Sequence, residues 1–124
     1  MKKLIATENA PGAIGPYSQA VEVNGMIYTS GQLGIDPATG ELPEGVEAQT
    51  EMALKNAEAI LKSEGLSLAN VFKTLVFIKD MNDFGKMNGI YSKFFSKDFP
   101  ARSCVEVARL PKDGLVEIEV IAIR

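Results

Sequence analysis

Few residue types are available for chemistry in this sequence. It has no histidine and a single cysteine, Cys104. That excludes Ser-His-Asp and Cys-His catalysis, a Cys/His zinc site and any disulfide within the chain. Acid–base work near neutral pH therefore falls to Asp, Glu, Lys, Tyr or a held water. The stretch from Phe99 to Ala108 stands out, because a turn led by Pro100 hands Arg102 to the mouth of an apolar strand. By the two-residue period of a strand, Arg102 and Cys104 share one side, and Val105 and Val107 face the other. An arginine in that setting is costly to desolvate unless an anion meets it, and its planar fork suits a carboxylate. Two partners are open: an acid of this chain in a structural ion pair, or the carboxylate of a ligand. Cys104 has no histidine to activate its thiol, so a nucleophilic role is not expected of it.

The elements that must position these residues read off in order. Lys3 to Ala6 suits a short strand. Glu8 to Tyr17 carries Pro11, Gly12, Gly15 and Pro16 and reads as a surface loop, the kind of segment that binds ligands. Ser18 to Val23 and Met26 to Ser30 flank Asn24-Gly25, a strong hairpin signal. Gly31 follows, where a glycine lets a ligand approach the backbone closely. Asp36 to Glu41 is a turn, and Pro37 with too few alternating acids rules out a calcium loop.

From Val46 to Glu64 the residues Val46, Thr50, Ala53, Leu54, Ala57, Ile60 and Leu61 form one helical face, with Gly65 at the C-terminal cap. Ser67 to Phe72 reads as a capped turn, and Lys73 to Lys79 as a strand apolar on both faces. Asn82 or Asp83 is placed to cap a second helix that buries Phe84, Met87, Tyr91, Phe94 and Phe95. The last strand, Leu115 to Ile123, puts Glu117 and Glu119 on one face and Val116, Ile118 and Val120 on the other.

The pattern is one α+β domain over residues 1–124, with about six strands and two helices. Each helix joins two strands, so right-handed crossovers lay both on one face of a mixed sheet. The other face is expected to expose Val76, Ile78, Ile121 and Ile123 with nothing in the chain to cover it, which implies self-association in a closed cyclic oligomer. Arg102 and Glu117 each begin a strand, and these strands run in opposite directions. They are expected near opposite ends of the sheet, roughly 15 Å or more apart, so that any cooperation crosses a subunit boundary.

Composition narrows the partners. The 124 residues carry 46% hydrophobic and 23% charged residues and a net charge of −3, with a pI near 5.0. A nucleic-acid surface needs clustered Lys and Arg, and the only dense patches, Lys2-Lys3 and Arg109 with Lys112, are short and diluted by nearby acids. No apolar run reaches membrane-span length, and the acid at Glu8 comes before any signal-peptide core, so the expected location is cytoplasmic.

Several motifs together resemble the RidA family, also called YjgF. They are Gly15-Pro16-Tyr17-Ser18-Gln19-Ala20, Thr29-Ser30-Gly31-Gln32, Lys79-Asp80-Met81-Asn82-Asp83-Phe84, Pro100 to Val107, and Arg109-Leu110-Pro111-Lys112-Asp113. The resemblance covers nearly the whole chain in order. It implies a chorismate-mutase-like fold, a homotrimer with ligand sites between subunits, and no metal or organic cofactor. It also implies hydrolysis of reactive 2-imino or enamine acids, such as 2-iminobutanoate and 2-iminopropanoate, to 2-oxo acids and ammonia. Carried onto this sequence, Arg102 matches the carboxylate clamp and Glu117 the group that positions the attacking water. The backbone at Cys104 and the N–H of Gly31 match ligand or water partners, and Tyr17, Ser30 and Asn88 match the remaining walls. Two departures are expected to reshape the pocket edge: Gly34 where many members have proline, and a short Phe95–Phe99 connection.

Two other functions compete. A non-catalytic module sensing 2-oxo or amino acids would use Arg102 but has no use for Glu117. A translation inhibitor or ribonuclease, a label some members of the family carry, fits poorly with the acidic balance.

Overall fold

The computed structural model describes all of residues 1–124. Seven strands and two helices follow in the order β1 (Lys3–Ile5), β2 (Ala20–Val23), β3 (Met26–Thr29), β4 (Gln32–Leu33), α1 (Val46–Lys62), β5 (Val71–Ile78), α2 (Phe84–Phe94), β6 (Ala101–Glu106) and β7 (Val116–Ile123). They form one mixed sheet in the order β1-β2-β3-β7-β5-β6, with β4 also paired to β7. Only β5 and β6 are parallel; the remaining pairs are antiparallel. The Asn24-Gly25 hairpin forms as expected, both residues having positive φ, which matches the twist of the flanking strands. β4 is the seventh strand, and at two residues it is too short to show a period.

Both helices lie on one face. α1 buries Ala53, Leu54, Ala57, Ile60 and Leu61, and α2 buries Met87 and Tyr91, against Ile27, Val76, Ile78, Val116, Ile118, Val120 and Ala122 of the sheet. Truncating one of the large members, such as Leu54, costs about 2–5 kcal/mol in a core of this kind. Gly65, at φ +75°, ends α1 by letting the Leu66 N–H reach back to the Leu61 carbonyl. Asn56 in α1 donates to the carbonyls of Leu33 (3.1 Å) and Ile35 (2.8 Å), tying β4 to the helix layer. Each of those buried carbonyls would cost about 1–3 kcal/mol if left unpaired.

The strand β5 corrects one expectation. Val76 and Ile78 point into the helix layer and are fully buried, whereas Leu75 and Phe77 are half-buried on the open face. Both faces of β5 are apolar, so period two fixes the alternation and leaves the inward side to tertiary packing. The open face is apolar nonetheless. Register puts Val21, Val23, Met26, Tyr28, Ile121 and Ile123 on it beside Leu75 and Phe77, with Glu117 and Glu119 set among them. At the start of α2, Asp83 holds the expected N-cap position but makes no side-chain capping bond; Asp80 instead caps a short turn at Met81–Asp83 by accepting the Asn82 N–H, and Phe84 opens the helix half-exposed. No helix is long and apolar enough to cross a membrane.

Candidate active site

Arg102 stands opposite Thr74 in the parallel β5–β6 pair, and its side chain lies on the helix side of the sheet. Its Nη1 donates to Oδ1 of Asn88 at 2.7 Å. The guanidinium carbon sits 4.7 Å from the centre of the Tyr91 ring and 5.5 Å from that of Phe84. Tyr91 is itself fixed, its hydroxyl 2.8 Å from the Thr74 Oγ1 and its ring 4.8 Å from Phe95. Burial and the nearby charge act on this tyrosine in opposite senses, and burial dominates, raising its pKa. No carboxylate lies within ion-pair distance of Arg102. The intramolecular ion-pair reading is thereby removed, and what remains is a cation steadied by π faces with most of its donors free.

A shallow cavity of about 440 Å³ opens in front of this arginine, lined by Asn88, Tyr91, Ser92, Phe95, Phe99 and Pro100. The Phe95–Phe99 connection therefore shapes it directly. Cys104 lies two residues further along the same side, its thiol pKa pushed up chiefly by burial and partly offset by Arg102. A raised pKa with no base at hand makes it an inert thiol. β6 is the outermost strand on its side of the sheet, so backbone groups of Arg102 to Cys104 are free to meet a ligand or a neighbouring chain.

The other expected residues gather elsewhere. Tyr17, Ser30, Gly31 and Glu117 line a cavity of about 520 Å³ together with Gly12, Ile14 and Lys112. The Ser30 hydroxyl donates to the Ser18 carbonyl at 2.6 Å, and the Tyr17 hydroxyl accepts from the Ile14 N–H at 3.3 Å. Glu117 lies across the backbone of Gly31: a Cβ there would come within 2.6 Å of its Cδ and Oε1. Glycine at 31 is thus what gives the carboxylate its place. Glu117 is half-buried and has no ion-pair or hydrogen-bond partner in the chain, and its pKa is raised, first by burial and then by the charge of Glu119. At the rim, Lys112 donates to the Gly40 carbonyl at 3.1 Å. Lys112 and Asp113 both hold positive φ, which costs about 1–2 kcal/mol for each non-glycine residue. The Arg109–Asp113 pair at 2.7 Å buttresses that turn.

The chain therefore carries two clusters. Arg102 is level with Thr74 of β5 and Glu117 with Phe77, on the strands either side of it. Three residues along and two strands across give roughly 14 Å between the backbones. The distance is close to the one expected, but the geometry differs. The two residues are three positions apart along the strands rather than at opposite ends of the sheet, and they lie on opposite faces, with the sheet itself between them.

Tyr91 and Phe84 were legible only as core residues; the one signal of another role is that Asn88 and Tyr91 are three apart on a helix and so share a face. Gly34 lies between Leu33 and Ile35, both of which line the larger cavity, and it also packs against α1. A Cβ there would come within 2.3 Å of the Gln49 carbonyl oxygen, so it is α1 that demands the glycine.

The sequence model of the family described as Endoribonuclease L-PSP matches residues 7–124. An Escherichia coli (strain K12) protein named 2-iminobutanoate/2-iminopropanoate deaminase is 55% identical over 127 aligned positions, covering 100% of this chain and 99% of that one. Among solved structures, E. coli TdcF with bound serine superposes with a TM-score of 0.95 at 50% identity over 98% of each chain. The YjgF gene product of E. coli does so at 0.95 and 54% identity, again over 98% of each.

Proposed function

Because this chain belongs to the Endoribonuclease L-PSP family, which includes the RidA/YjgF proteins its motifs resemble, we propose that it hydrolyses 2-imino acids such as 2-iminobutanoate and 2-iminopropanoate to 2-oxo acids and ammonia. The observation that carries this reading is Glu117, a half-buried carboxylate with a raised pKa and no partner in its own chain. A sensing module would need Arg102 and gain nothing from such an acid. Enamines such as 2-aminoacrylate enter the same route by tautomerising to the imine.

In the proposed mechanism Arg102 grips the substrate carboxylate with two parallel N–H···O bonds, which fixes the adjacent C=N carbon. Glu117 of a neighbouring chain accepts a proton from a water whose oxygen bonds to that carbon. The nitrogen takes that proton back from Glu117 to give the carbinolamine; Glu117 then moves the hydroxyl proton to the nitrogen, and as the carbonyl forms the C–N bond breaks and ammonia departs. The Gly31 N–H and the backbone at Cys104 orient ligand or water, while Tyr17, Ser30 and Asn88 wall the site. The scheme requires no metal or organic cofactor. The assembly that joins the two clusters is, in this reading, a closed homotrimer with the chorismate-mutase-like arrangement, its open sheet faces buried together. The proposed setting is the cytoplasm, where amino-acid breakdown releases such imines. RNA cleavage, the activity in the family's description, is disfavoured by the net charge of −3.

The test is ammonia release from imines generated in situ by an amino-acid oxidase. Wild type should accelerate it, and Arg102→Ala should lose roughly a hundredfold or more, as expected when a bound carboxylate loses its charged partner. Equal rates with wild type and Arg102→Ala would overturn the proposal.

A further inference from the structure

The segment from Thr7 to Tyr17 contains no helix or strand, yet its Gly12, Ile14 and Tyr17 form one wall of the Glu117 cavity. Something must hold it. Within the segment the hydrogen bonds are short-range: Asn9 N–H to Thr7 Oγ1, Ile14 N–H to the Tyr17 hydroxyl, and Tyr17 N–H to the Gly15 carbonyl. Every hydrogen bond that leaves the segment from Thr7 to Tyr17 ends on one side chain, that of Gln19. Its Oε1 accepts the Thr7 N–H at 2.6 Å. Its Nε2 faces the carbonyls of Thr7 (3.0 Å), Ala10 (3.3 Å) and Pro11 (2.8 Å).

Two N–H bonds are thus shared among three acceptors, and only one orientation of the amide fits, since a flip would set oxygen against three oxygens. Gln19 is 4% exposed, so its own amide is shielded from water and costly to leave unpaired, although the loop groups it meets are mostly part-buried. The only other anchor of the segment is Ala10, 3% exposed in the core. The backbone of Gln19 reaches the opposite side of the cavity as well, because its carbonyl accepts the Ser30 N–H at 2.8 Å, next to Gly31 and Glu117. One residue therefore ties the loop wall to the floor on which the carboxylate lies.

We infer that Gln19 is a positioning residue that sets the Tyr17 wall against the Gly31–Glu117 floor and so fixes the fit of the substrate side chain; this rests on the imine-hydrolase reading of the cavity. Gln19 lines the same cavity, but both ends of its amide are taken up by the loop, so it acts through the wall it holds. Without it, Arg102 and Glu117 keep their places, but the wall must be ordered when the ligand binds, a cost that appears as lost affinity.

The variant Gln19→Met keeps the length and packing and removes all four contacts. Its KM for the imine should rise roughly tenfold, about 1.4 kcal/mol, with kcat within about threefold of wild type. Amide hydrogen exchange across residues 7–16 should quicken while β5 and β7 stay protected. Leu61→Ala, a core truncation away from the cavity, is the control for lost stability and should leave KM unchanged. If Gln19→Met does not fold, Gln19→Glu retains the acceptor for Thr7 and loses the donors, and should show the same split. An active wild type with unchanged KM in the variant would overturn the role of Gln19 and leave the function standing. An inactive wild type would remove the functional reading, and exchange alone would then judge the anchor, loop amides no faster in the variant being the refuting result.

Discussion

Mixing two inactive variants should restore activity by a calculable amount. Arg102→Ala removes the cation on the helix side of the sheet, and Glu117→Gln the carboxylate on the open side; neither belongs to the buried core. If a site takes its Arg102 from one chain and its Glu117 from the next, randomised subunits give each site an intact arginine half the time and an intact glutamate half the time. An equal mixture then recovers about one quarter of wild-type activity, whatever the number of chains in the ring. Wild type mixed equally with the double variant also gives about one quarter, by the same counting. A site contained within one chain predicts no recovery in the first mixture and about one half in the second. The separation of roughly 14 Å with a sheet between is why the first pair of values is expected. The assay is ammonia release after the variants are unfolded together in denaturant and refolded, with mass spectrometry confirming mixed oligomers. A silent first mixture and a half-active second would refute the shared site.

Four further outcomes follow from the same geometry. Gly31→Ala places a Cβ within 2.6 Å of the end of Glu117, a flexible group that can swing away; thermal stability should barely change, while kcat drops roughly a hundredfold from misplacement of order 1 Å. Gly34→Ala meets the Gln49 backbone instead, so it should lower the urea midpoint, by about 1–3 kcal/mol of overpacking, with KM unaltered. Glu117 must be ionised to take a proton from water, so activity should fall as pH falls through its raised pKa. Glu119→Gln removes the second cause of that rise and should move the acid limb to lower pH; an unmoved limb would count against Glu117 as the base. The sign for stability is the reverse. A carboxyl whose pKa is raised by folding lends stability below its unfolded pKa and loses it as pH rises through the folded value, so Glu117→Gln should melt higher than wild type near neutrality and alike in acid.

How much of this was legible beforehand varied by element, for physical reasons. α1 was readable because a helix at the surface of a core repeats its apolar face for five turns, and the hairpin because Asn24-Gly25 admits few other conformations. The face shared by Glu117 and Glu119 followed from strand period alone. The inward side of β5 did not, since Val76 and Ile78 compete with Leu75 and Phe77 on equal terms. The aromatic bed of Arg102 was also hidden, because a ring that packs in a core and a ring that carries a cation have the same sequence signature. Gln19 gave no signal beyond its place in the Gly15–Ala20 motif: a glutamine just before a strand looks like a solvated residue until the loop it binds has folded over it.

The place of β7 has a consequence for how the chain is made. It pairs with β3, β4 and β5 at the centre of the sheet, yet it follows all three in chain order. During synthesis the earlier strands emerge with their bonding edges bare, and Ile27, Val71 and Val76 wait for partners near residues 118–122. The sheet closes in one late step, through contacts distant in sequence, and such topologies fold slowly. A ribosome stalled before Val116 holds a chain with exposed strand edges and no means of covering them, the state most prone to aggregate.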